Sequence, residues 1–174
     1  TAHNHTILCH SAVLSLSSKV LCSLFSSTSS ESWTNGLEAA FNGHSLSEIQ
    51  AFLKMCYSPR LDVSNIMLKY TLVDENGAST GSKETEERTD KGKDNGTAEG
   101  LLKLIHRLDC PELMRSLDAY FTKCPEAIAG SWAHRMSIAS NMSMKGYRKK
   151  CAVNVLQGIF NTAVVDSLCF IGPP

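Results

Sequence analysis

Val13, Leu16, Val20 and Leu24 stand three and four residues apart, and Leu21 and Phe25 broaden the stripe. That spacing predicts helical structure over residues 12–25. Ser17-Ser18 interrupts the run, and Ser18 is placed to cap a second short helix from Lys19, because its hydroxyl can accept from a free backbone N–H. Residues 26–36, rich in serine and threonine, read as a polar loop closed by a turn at Asn35-Gly36. Ser45-Leu46-Ser47-Glu48 is a capping box, and Ile49, Phe52, Leu53 and Cys56 form the buried face of the helix it opens. Pro59 ends that helix, since the residue before a proline is pushed out of helical geometry. A short strand is predicted at Tyr70-Thr71-Leu72-Val73.

From Asp74 to Ala98 the character changes. Charges of both signs crowd together with glycine and threonine, and only Ala78 and Ala98 are apolar. Such a stretch buries too little surface to offset its ordering entropy, so 74–98 is expected to be a disordered insertion. Helical spacing resumes with Leu101, Leu104, Ile105 and Leu108, and Pro111 suits the first turn of the next helix. Leu113, Leu117, Tyr120 and Phe121 make that helix's apolar face, and Pro125 breaks it. Ile128, Trp132, Met136 and Ala139 form a further stripe, followed by Met144, Tyr147, Cys151 and Val155. The two helical pairs correspond at an offset of 34 positions, as Ile105 does to Ala139. This reads either as a repeated helix-turn-helix unit or as two ordinary helical hairpins. Ala163 to Ile171 is a terminal helix or strand.

Composition narrows the class. The chain has 174 residues, 17 basic and 17 acidic, with no basic stripe, so binding to nucleic acid is not expected. Its seven cysteines are scattered, without a C-x-x-C pair, which fits buried thiols in a reduced intracellular protein better than a disulfide framework. Sequons at Asn4, Asn95 and Asn141 have no signal peptide to support them. No apolar run approaches the ~20 residues of a membrane span. A start at Thr1 rather than Met reads as a fragment or a processed piece.

The run His10-Ser11-Ala12-Val13-Leu14-Ser15-Leu16-Ser17-Ser18-Lys19-Val20-Leu21 resembles the opening of a BTB/POZ domain. Phe25 falls where that family has its Met-Phe step. Phe52-Leu53-Lys54-Met55-Cys56-Tyr57-Ser58 is similar to its Leu-x-Phe-Ile-Tyr-Thr stretch, and Leu101-Leu102 with Leu113 to its closing pair of helices. The resemblance implies an α+β, mostly helical fold: a helical cluster with a short flanking sheet over 1–122, then a small all-α extension over 123–174 similar to the start of a BACK domain. It also implies that the first strand, which carries an Asp, is missing, and that the chain opens at best with the second strand, Thr6 to Cys9. Ser11 stands where many members have a basic residue, so the charged dimer pocket that the Asp and this residue build is not implied here.

As for function, the resemblance implies a non-catalytic adaptor that binds other proteins, with a cullin scaffold of ubiquitin ligases as one partner. In one subgroup a hydrophobic–any–Glu motif after the second helix contacts the cullin. Ser29, Ser30 and Glu31 correspond to it, with Trp33 as a substitute apolar anchor and Tyr57 on the same expected surface. The alternatives are a scaffold for self-association or regulator recruitment, and a helical-repeat binding module. No catalytic, cofactor or metal residues are expected, and location is cytoplasmic or nuclear. His3, His5, Cys9 and His10 lack the paired spacing of a zinc site, and His10 is accounted for by the family pattern as a partly buried histidine. Gly77 to Lys83 lacks the strand-to-helix context of a phosphate loop. Trp132 is expected in the core and Trp33 in solvent.

Overall fold

The computed structural model describes residues 7–26, 30–58, 63–71 and 96–169. Among them are nine α-helices and one 3-10 turn, and no strand. The helical cluster is as expected, whereas the flanking sheet is absent from the described residues. The chain divides into two compact units, Thr1–Ser116 and Leu117–Pro174.

In the first unit α1 (Ser11–Ser17) and α2 (Lys19–Phe25) are separated by Ser18, whose backbone is extended at φ −134° and ψ 125°. Ser18 is 1% exposed. Its hydroxyl accepts from the Leu21 N–H at 3.0 Å and donates to the Leu108 carbonyl at 2.5 Å. One residue on, the Lys19 N–H donates to the Asp109 carbonyl at 3.2 Å. The extended residue also changes which face is buried. Leu14, Ser18 and Leu21 point inward, while Leu16 is 89% exposed. The placing of Leu16 and Val20 on the buried stripe is therefore corrected: a helical period cannot be carried across a residue that leaves the helix.

The helix α3 (Ser30–Phe41) replaces the polar loop expected to run to Gly36. Asn35-Gly36 is not a turn. A β-carbon on Gly36 would overlap the Leu24 side chain, so glycine is there for close approach to α2. Arg107 holds the far end of α3, donating to the carbonyls of Ala39 at 2.8 Å and Asn42 at 3.1 Å. A cation at a helix C-terminus satisfies orphan carbonyls and complements the dipole.

The helix α4 (Leu46–Cys56) opens with the expected capping box and buries Ala51, Phe52, Leu53 and Met55. α5 (Val63–Thr71) includes two of the four residues expected as a strand, Tyr70 and Thr71; Leu72 and Val73 lie outside the described residues. Val63 and Met67, one turn apart, are both buried, and this helical anchoring overrides the local strand preference. The expected strand at Thr6 to Cys9 is likewise not formed at residues 7–9, and Thr6 lies outside the described residues.

Two anchors bracket the charged segment. The Tyr70 hydroxyl donates to the Ser47 carbonyl at 2.6 Å, and the Gly96 N–H donates to the Ser47 hydroxyl at 2.8 Å. Glu48, 6% exposed, also accepts from the Thr97 N–H at 3.0 Å and from His44 Nδ1 at 3.1 Å. Thr97 caps α6 (Ala98–Arg107), and Ala98 is buried, so the fold resumes at Gly96 rather than after 98. Residues 74–95 of the expected insertion lie outside the described residues.

α6 and α7 (Pro111–Lys123) meet at Asp109, which takes φ +46°. The Asp109 N–H bonds the His106 carbonyl and the Cys110 N–H the Ile105 carbonyl, the two bonds of a Schellman turn. The same turn recurs between α8 (Trp132–Asn141) and α9 (Lys145–Cys169), with Ser143 at φ +57° and bonds from Ser143 to Ser140 and from Met144 to Ala139. Thr97 and Ser131 cap α6 and α8 in the same way, each accepting from the N–H three residues on. The offset of 34 positions thus holds for caps, helix starts and turns alike.

In the second unit Asp118 caps α9 from another helix, its carboxylate accepting from Gly146 N–H at 3.0 Å and Tyr147 N–H at 2.8 Å. Tyr147 is fully buried and donates its hydroxyl proton to the Pro125 carbonyl at 3.0 Å. Trp132, expected in the core, is half-buried under the Arg135 guanidinium. The terminal apolar segment is helical as far as Cys169.

Ser18→Ala should lower the stability of the chain by about 2–3 kcal/mol, from loss of the cap and desolvation of the Leu108 carbonyl. Ser26→Ala, at an exposed hydroxyl bonded only to Cys22, should change it by less than about 0.5 kcal/mol. Urea denaturation of both variants measures the difference.

Candidate protein-binding surface

Ser29 lies outside the described residues, while Glu31 falls in the first turn of α3 with its side chain outside the description. Trp33 follows on the same helix. It is half-buried rather than free, its ring edge-on to Phe25 of α2 at 5.7 Å. That contact fixes the start of α3 against the end of α2, so Trp33 positions the segment around Glu31.

Tyr57 has different neighbours. It terminates α4 and remains 42% exposed, with its hydroxyl accepting from the His10 N–H at 2.5 Å and lying 3.2 Å from His10 Nδ1. His10 itself is exposed, against the expectation of a partly buried ring. Tyr57 therefore serves as a tether for the residues that lead into α1.

Two apolar residues of this region are exposed against or beyond the sequence reading, which put Leu16 on the buried stripe and gave Leu8 no role. Leu8 is 92% exposed and Leu16 89%. In a seven-residue helix Leu16 sits two positions from the buried Leu14, hence on the opposite side. Once α1 is known to end at Ser17, that spacing is the available signal.

The thiols have little nucleophilic character in the interior. Burial pushes Cys56 up to about 11 from an ordinary 9.0, with the Ser17 hydroxyl pulling weakly the other way. Burial likewise pushes Cys110 up to about 12. Both are protonated at neutral pH, and the thiolate is the reactive form. Cys9, Cys22 and Cys124 are exposed, and the six cysteines whose side chains are described are free. Among the described residues no group of three or more His, Cys, Asp or Glu side chains is placed to hold a metal ion.

Short helices thus present an aromatic pair, Trp33 with Phe25, and exposed leucines, an arrangement suited to contact with another protein. Residues 1–75 match the family model of the BTB/POZ domain. This part of the chain is thus similar to BTB/POZ domains, which are protein–protein interaction modules. No curated protein and no solved structure matches the chain. Among the described residues no helix is long and apolar enough to cross a membrane.

The raised thiols set a pH dependence. Above about 9 the unfolded chain releases the Cys56 and Cys110 protons while the folded chain keeps them, so stability is full below that pH and falls as pH rises towards 11–12. Denaturation across this range should show the decline, and the double variant Cys56→Ala with Cys110→Ala should show a shallower one. An equal slope in both contradicts the assignment.

Proposed function

We propose that the chain is an adaptor, or substrate-receptor subunit, of a cullin-based ubiquitin ligase. Its BTB/POZ-like domain would extend over 1–122 and a BACK-like helical extension over 123–174. In this reading the protein is not an enzyme, works inside the cell, and acts by surface complementarity, with apolar anchors in a groove and a polar rim. The carrying observation is the position of Glu31. It opens α3 directly after the α2–α3 connection, beside a Trp33–Phe25 contact that holds the connection's end. Ser29 is not an apolar anchor, and Trp33 is the nearest residue that supplies the missing apolar surface.

A second reading, self-association or recruitment of a regulator without a cullin, draws on Leu8 and Leu16, whose exposure has no role within the fold.

Purified full chain incubated with cullin scaffolds should be retained, and Glu31→Lys should weaken retention about tenfold or more. Absence of cullin binding by the intact chain contradicts the ligase reading. Binding by neither cullin nor a second copy, the latter read by light scattering, contradicts both.

A further inference from the structure

The helix α9 begins with an unusual charge pattern. Lys145, Arg148, Lys149 and Lys150 are all exposed within its first two turns. Cations there oppose the helix dipole, which favours negative charge at an N-terminus. None of the four makes an ion pair among the described residues, and α9 has no acidic residue before Asp166. The Asp118 carboxylate is engaged by the Gly146 and Tyr147 amides instead.

The charge continues into an apolar face. Lys145, Lys149, Val153, Leu156 and Phe160 follow one another at spacings of four, four, three and four, which places them on one side of the helix. Tyr147 and Cys151, on the other side, are fully buried. Val153 is 43% exposed, Leu156 54%, Ile159 60% and Phe160 67%. The hairpin α6–α7 provides an internal comparison. At the offset of 34, Val153 and Leu156 correspond to Ala119 and Thr122 of α7. The hairpin architecture therefore does not require large apolar residues at these positions.

We infer that this face of α9 is a docking helix for an acidic-rimmed apolar groove on a partner protein. Val153, Leu156 and Phe160 have the i, i+3, i+7 spacing of helix-in-groove anchors. The unpaired cations at the start of the stripe match an acidic rim. A second copy of α9 fits less well, because it brings no acidic residue to these cations before Asp166.

The test uses the full chain and calmodulin, an acidic protein whose apolar groove opens with calcium. Saturable, calcium-dependent binding is expected. Lys149→Glu and Leu156→Asp should each weaken it about tenfold, while Leu68→Asp, at an exposed leucine of α5, should leave it unchanged; circular dichroism checks that each variant is folded. No binding to the calcium-loaded probe overturns the inference, as does binding that the α9 variants leave intact. So do preferential binding to phosphatidylserine-containing over pure phosphatidylcholine vesicles through the same residues, and a dimer that Leu156→Asp splits.

Discussion

Ser18 lies where two requirements meet. The first turn of α2 leaves backbone N–H groups without helical partners, and the last turn of α6 leaves carbonyls in the same condition. One buried hydroxyl answers both, accepting from Leu21 and donating to Leu108. Asp109, held at positive φ by the Schellman turn, adds its carbonyl to the Lys19 N–H. The α1–α2 pair is thereby fixed to the α6–α7 turn by groups far apart in sequence. Removing the hydroxyl would leave a buried carbonyl unsatisfied, which costs more than the hydrogen bond itself contributes.

The same economy recurs at the N-terminus of α4. Ser45 and Glu48 cap the helix locally, and then Ser47 and Glu48 reach outward to Tyr70, Gly96 and Thr97. Tyr70 before the charged segment and Gly96 after it are both bonded to one residue, Ser47. Gly100 belongs to this arrangement, since a β-carbon there would overlap the Glu48 carboxylate. Downstream, a cap, a helix, a Schellman turn and a second helix recur at a fixed offset. The repetition is of local backbone chemistry, and side chains at equivalent positions are free to differ, as Thr122 and Leu156 do.

What could be read from the sequence follows the range of the interactions. The capping box at Ser45, the cap at Ser18, the start of α7 at Pro111 and the faces of α6, α7 and α9 are local patterns found as read, except that Tyr120 and Val155 are only half-buried. The misread elements depend on distant partners. Gly36 resembled a turn because nothing nearby announces the Leu24 side chain it must admit. Tyr70 resembled a strand residue because its bond to Ser47 is not visible locally. Leu16 joined the wrong face because the extended backbone at Ser18 resets the helical phase. On the candidate surface, the restraint of Trp33 by Phe25 and of Tyr57 by His10 was not legible in the sequence.

Ser18 ties the first two helices into the cooperative core, so that the candidate surface they carry stands on a rigid base. Amide hydrogen exchange at Lys19 and Leu21 tests it most directly. First-turn amides ordinarily exchange by local fraying. Here both should be protected as strongly as the core amides of α4 and α6 and should exchange only through global unfolding. Rapid exchange at Lys19 and Leu21, with α4 and α6 still protected, would contradict the account.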